Sequence, residues 1–138
     1  MLTKVIEQSK IDHFTKWFDR ADKIVIVSHV GPDGDAIGSS LGLWHFFSSQ
    51  GKTANVIVLL YDRYKEFADK LIAEADVICC LDFNAIHRID AMGDAVLASP
   101  ARKILIDHHL HPEDFCKIII SHPEISSTSE LVFRLICR

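Results

Sequence analysis

Five short runs of branched apolar residues, with helix-periodic segments between them, constrain this chain more than any other feature. Lys23 to Ser28 reads Lys-Ile-Val-Ile-Val-Ser, apolar on both faces, as in a strand buried on both sides of a parallel sheet. Further strands are predicted over Asn55 to Val58, Val77 to Leu81, Lys103 to Ile106 and Lys117 to Ile120. The intervening segments change to a period near 3.6. Lys10 to Asp19 places Ile11, Phe14, Trp17 and Phe18 at helical spacing, and helices are also expected from Asp35 to a stop before Gly51, over Tyr64 to Glu74, over Ala85 to Leu97 and over Thr128 to Cys137. Ser126 or Ser127 supplies the N-cap of the last one. Gly34, Gly38 and Gly42 recur every four residues, predicting a smooth helix face laid close against a sheet. The pattern implies an α/β fold, a doubly wound, mostly parallel five-stranded sheet with helices on both faces.

Composition limits what such a sheet can serve. The 138 residues, 49% of them hydrophobic, suffice for one ordinary core and not for two full-sized domains. A net charge of -4 leaves no basic surplus of the kind that holds long duplex nucleic acid, so a phosphate-bearing ligand would be gripped locally, through metal ions. Cys79, Cys80, Cys116 and Cys137 form no CxxC pair and are expected as reduced, mostly buried thiols. The first residues form no signal peptide and no segment approaches the roughly 18 apolar residues of a membrane span, which predicts a cytoplasmic protein without membrane partners.

Doubly wound sheets do their chemistry at the carboxyl ends of the strands. The first strand runs into Ser28-His29-Val30-Gly31-Pro32-Asp33-Gly34-Asp35, the third into Asp82 and the fourth into Asp107-His108-His109. Each cluster alone has a bland reading: an Asx turn at Asp33, a capping or solvated Asp82, a histidine pair in a loop. An EF-hand starting at Asp33 is excluded, because its twelfth position is Trp44. Together, four carboxylates and three histidines at one sheet edge would repel one another without a cation, and metal binding resolves the conflict. Aspartates and imidazoles without thiolate suit Mn²⁺, with Mg²⁺, Co²⁺ or Fe²⁺ possible and Zn²⁺ less suited. The ligands are too many for one ion, and a two-metal cluster about 3.5–4 Å across is the arrangement used for in-line hydrolysis of phosphate esters.

The stretch His29 to Ser39 resembles the first motif of the DHH phosphoesterases, Leu81-Asp82 the second, and Asp107-His108-His109 is the tripeptide after which the family is called. The order and spacing match, and Ser126-Ser127-Thr128-Ser129-Glu130-Leu131 adds a likeness to the bifunctional oligoribonuclease and pAp phosphatase group. The resemblance implies one metal on His29, Asp33 and Asp82, a second on Asp35, Asp82 and His108, and Asp82 bridging. It further implies His109 facing the substrate phosphate, Asp107 orienting a histidine, and water activated by metal as nucleophile. It implies a small nucleotide or short oligonucleotide as substrate and a homodimer. Residues 1–138 would form the catalytic domain, incomplete at its C-terminal end: one more aspartate ligand and a C-terminal substrate domain are expected beyond these residues, and a longer connection than Val58-Leu59-Leu60-Tyr61-Asp62 is expected after the second strand.

Other residues carry less. His13, His45 and His87 are read as structural or solvated, and Trp44, Phe46 and Phe47 as helix packing rather than a base-stacking platform. His111 and His122 stand nearer the expected edge and are candidates to touch substrate. Arg88, Arg102 and Arg134 meet phosphate only where the fold puts them there. Three functions stay open: hydrolysis of phosphate esters in small nucleotides, hydrolysis of pyrophosphate or polyphosphate on the same cluster, and a non-catalytic metal- or nucleotide-binding module.

Overall fold

The computed structural model describes residues 5–57 and 61–137. Along the chain run α1 (Gln8–Arg20), β1 (Lys23–Ser28), α2 (Gly34–Ser49), β2 (Thr53–Ile57), α3 (Lys65–Glu74), β3 (Val77–Leu81), α4 (Met92–Ala98), β4 (Arg102–Asp107), β5 (Ile118–Ser121) and α5 (Thr128–Ile136). The five strands form one sheet in the order β2-β1-β3-β4-β5, and every pairing is parallel.

The strand sequence explains the layers. In β1, Ile24 and Ile26 point to one face while Val25 and Val27 point to the other, and both sets are buried. The first face packs against α1, α2 and α5 through Phe14, Phe18, Leu43, Phe47, Leu131 and Leu135. The second packs against α3 and α4 through Ala68, Ile72, Met92 and Val96. Right-handed crossovers require this division. The step from β1 to β2 runs in one direction across the sheet, whereas the steps from β2 to β3 and from β3 to β4 run in the other, so α2 lies on the opposite face from α3 and α4. The direction reverses between β1 and β3, which makes the crevice at their carboxyl ends the topological switch point.

Several sequence expectations need adjustment. The sheet is entirely parallel, and its second strand starts two residues earlier than expected; Val58 and the connection at 58–60 lie outside the described residues. The helix expected over Ala85 to Leu97 is broken into a 3₁₀ turn, Ile86–Ile89, and α4, because Asp90 takes a left-handed φ of 50°. Lys117 lies just before β5 rather than in it. The glycine stripe of α2 does not face the sheet: Ala36, Ser39, Ser40, Leu43 and Phe47 do, while the glycines are exposed. A Cβ at Gly38 would come within 3.3 Å of Ser129 Oγ, so the small residue there lets α5 approach α2. Cys79, Cys80 and Cys116 are buried free thiols, and Cys137 is exposed. Among the described residues no helix is long and apolar enough to cross a membrane.

Candidate metal centre

β1, β3 and β4 bring their carboxyl ends side by side, with Ser28 in register with Leu81 and Leu81 with Ile106. His29, Asp82 and Asp107 therefore lie at successive positions along one edge. Asp33 caps α2, its Oδ1 accepting from Ala36 N at 2.9 Å, so this aspartate is a helix N-cap rather than an Asx turn. Asp35 follows in the first turn of α2.

Asp82 occupies the middle. It is 1% exposed, has a φ of 64°, and its N–H donates to Ile106 O at 3.0 Å. The expectation of a solvated strand end does not describe it. Its Oδ2 lies 3.3 Å from His29 Nε2 and its Oδ1 lies 3.5 Å from His108 Nε2. His29 Nε2 is also 3.8 Å from Asp33 Oδ1, and His108 Nε2 is 3.5 Å from Asp35 Oδ2. Two groups of neighbouring side chains result, one of His29, Asp33 and Asp82 and one of Asp35, Asp82 and His108. His29 Nδ1 sits 3.0 Å from the Val30 carbonyl, so that nitrogen carries the proton and Nε2 turns its lone pair to the carboxylates.

His109 stands at the rim. Its Nδ1 is 2.6 Å from Asp107 Oδ1, and its N–H donates to Asp107 Oδ2 at 3.1 Å. Asp107 is fully buried while the His109 ring is 42% exposed, so a fixed carboxylate orients a ring that reaches outward. Donor atoms of His29, Asp33 and Asp82 lie within 4.8 Å of one another, and so do those of Asp82, His108 and His109. His109 thus stands beside Asp82 and His108 as well as Asp107.

The N-terminus of α5 closes the group from the far side. Thr128 N and Ser129 N donate to the two oxygens of Asp35 at 3.0 and 2.8 Å, and Ser129 Oγ donates to Oδ1 at 2.7 Å. Thr128 Oγ1 donates to Asp82 Oδ1 at 3.0 Å. The sequence marks Thr128 as the start of a helix and places it with Ser129 in the run that resembles the oligoribonuclease and pAp phosphatase group, without giving either a role at the site. The available signal was the hydroxyl pair directly after the N-cap Ser127, a helix start that can seat an anion.

These contacts set the electrostatics. Burial together with the charges of Asp35 and Asp33 pushes the Asp82 carboxyl up to about 6, against the pull of the Thr128 hydroxyl. Burial alone would raise Asp35, but the donors on Ser129 and Thr128 outweigh it and hold that carboxyl below its ordinary value. The Ala36 N–H holds Asp33 low. Three carboxylates and two imidazole nitrogens face one crevice, and a hard or borderline divalent cation is the partner such a donor set fits.

The remaining candidates fall elsewhere. His122 follows β5, donates its N–H to Asp107 O at 3.1 Å and places Nδ1 2.9 Å from Glu124. His45 is exposed on α2, and His111 is exposed with a φ of 54°. Phe47 stacks on Phe18, while Trp44 donates to Ala54 O. Arg134 pairs with Glu130 on α5, and the Arg88 carbonyl accepts from Val30 N. His13 and Arg102 lie at the opposite, amino-terminal edge of the sheet.

Comparison with known proteins places the chain in a family. A solved structure of an exopolyphosphatase-related protein from Bacteroides fragilis is 73% identical and superposes with a TM-score of 0.98 over 99% of this chain and 45% of its own. The bifunctional oligoribonuclease and PAP phosphatase NrnA of Thermus thermophilus is 33% identical over 117 residues, covering 82% of this chain. The cyclic-di-AMP phosphodiesterase GdpP of Geobacillus thermodenitrificans is 28% identical over 141 residues, covering 84%. The chain spans 36% and 21% of the length of these two relatives. The N-terminal domain description of the DHH family matches residues 23–138, a span that contains every carboxylate and imidazole of the crevice, and the chain belongs to the DHH family of phosphoesterases.

Proposed function

We propose that this chain carries a two-metal centre that hydrolyses phosphate esters of small nucleotides or short oligoribonucleotides, with Mn²⁺ as the preferred ion. The observation that carries the reading is Asp82: one oxygen faces His29 and the other faces His108, each beside a further aspartate. His29, Asp33 and Asp82 would hold one ion, and Asp35, Asp82 and His108 the other. Ions held there supply Lewis acidity toward the phosphoryl group and activate water near neutral pH. The protein's own part is orientation. Asp107 accepts from His109 Nδ1, which leaves Nε2 as the ring atom turned to substrate, where, carrying a proton, it would donate to a phosphate oxygen or to the leaving oxygen. Thr128 and Ser129 hold Asp82 and Asp35 in place through hydrogen bonds rather than charge.

NrnA and GdpP, by name, act on oligoribonucleotides, PAP and cyclic-di-AMP, and they support the nucleotide reading. The exopolyphosphatase-related relative favours a second one, hydrolysis of phosphoanhydrides on the same cluster. The test is product release from pAp, a 5′-phosphorylated RNA dinucleotide, a cyclic dinucleotide and pyrophosphate, with Mn²⁺, using the whole polypeptide. Turnover of any nucleotide substrate with pyrophosphate untouched upholds the first reading, whereas turnover of pyrophosphate alone replaces it by the second. Asp82→Asn should abolish either activity, and activity that survives it removes the two-metal reading.

A further inference from the structure

The amino-terminal edge of the sheet, opposite the metal centre, holds a cavity of about 370 Å³ lined by His13, Lys16, Trp17, Arg20, Arg102, Lys117 and Ile118. Its cations come from three separate segments. His13, Lys16, Trp17 and Arg20 follow the i, i+3, i+4, i+7 rule and form one stripe of α1. Arg102 is the first residue of β4, and Lys117 stands just before β5, where its N–H donates to Lys103 O at 3.1 Å. The Arg102 guanidinium lies over the Trp17 ring, 5.5 Å from its centroid, which fixes one cation in the cavity wall.

Lys16, Arg20, Arg102 and Lys117 take part in none of the ion pairs formed among the described residues. A chain of net charge -4 has ample acid with which to neutralise them. Asp76, the carboxylate beside Arg20 and Arg102, spends one oxygen instead on the N–H groups of Asp22 and Lys23. The C-terminal dipole of α1 accounts for a cation at Arg20. It does not account for Arg102 and Lys117, which converge on the same space from the starts of two strands. Four like charges gathered around a cavity repel one another, and an anion relieves the repulsion.

We propose that this cavity binds a small, multiply charged phosphate compound, at a site separate from the metal centre and independent of it. The volume suits a nucleotide-sized ligand rather than a single ion. Two sources share the chemistry: a free oligophosphate, held by the cations alone, and a nucleoside polyphosphate whose base occupies the rest of the cavity.

Calorimetric titration of the whole polypeptide, freed of metal and chelator, with inorganic tripolyphosphate, ATP and adenosine tests this. Without metal, Asp33, Asp35 and Asp82 leave the opposite edge acidic, so it does not compete for anions. Tripolyphosphate should bind with a dissociation constant of about 0.1 mM or tighter at low salt, weakening as salt rises. Equal affinity for tripolyphosphate and ATP identifies an oligophosphate site, and ATP about tenfold tighter identifies a nucleotide site. Lys16→Glu and Lys117→Glu, exposed positions on different segments, should each weaken binding at least about tenfold with the melting temperature unchanged; if either unfolds the protein, the corresponding glutamine variant takes its place. Absence of binding to both phosphate probes, or binding unaltered by these substitutions, overturns the proposal.

Discussion

Asp82 combines two unfavourable conditions in one residue. A non-glycine φ of 64° costs about 1 kcal/mol, and the buried carboxylate sits beside two others. With its folded value raised to about 6 from 3.8, the folded protein holds this proton more tightly than the unfolded chain. Its contribution to stability is therefore fully present below about 4 and is lost as the pH rises through about 6. Asn tolerates the left-handed conformation and carries no charge. Asp82→Asn should accordingly stabilise the metal-free protein by about 3 kcal/mol at pH 7 and by nearly nothing at pH 4. Paired thermal melts across this range, variant minus wild type, read the effect, and a difference that does not change with pH would show that Asp82 is not strained by its charge. The motif residues were legible at this scale; the burial of Asp82 was not, because exposure of a strand end depends on which helix covers it.

That cover is α5. Ser127 caps the helix by accepting from Glu130 N at 3.1 Å, and this choice of first residue aims the N–H groups of Thr128 and Ser129 at Asp35. Ser129→Ala removes the 2.7 Å hydroxyl donor and leaves both backbone donors in place. Metal affinity measured by calorimetry should fall roughly 10- to 100-fold, with the helix retained by circular dichroism. Unchanged affinity would mean that the backbone donors alone position Asp35. The elements themselves were largely readable, since buried parallel strands are apolar on both faces and α1 shows its buried stripe openly. Two readings failed for reasons outside local pattern. A left-handed Asp90 divides the helix expected over Ala85 to Leu97, and the glycine stripe of α2 turns toward solvent and α5 because Leu43 and Phe47 claim the sheet.

For the molecule as a whole, the cost of gathering carboxylates at one edge is what a cation would offset. Mn²⁺ at 100 times its dissociation constant should stabilise the protein by about 2.7 kcal/mol, a rise of several degrees in melting temperature that EDTA reverses. No shift with Mn²⁺, Mg²⁺, Co²⁺ or Fe²⁺ would remove the metal reading altogether. The sequence by itself determined the strand count, the alternation that makes an α/β sheet, and which residues stand at the carboxyl ends of β1, β3 and β4, because strand burial and chain direction are written in local pattern. Only the tertiary structure decided that Asp82 faces a histidine on each side, that α5 supplies the donors holding Asp35, and that Arg102 and Lys117 meet the stripe of α1. Those contacts join residues dozens of positions apart in the chain, and their distances follow from strand order and helix packing, which no single segment encodes.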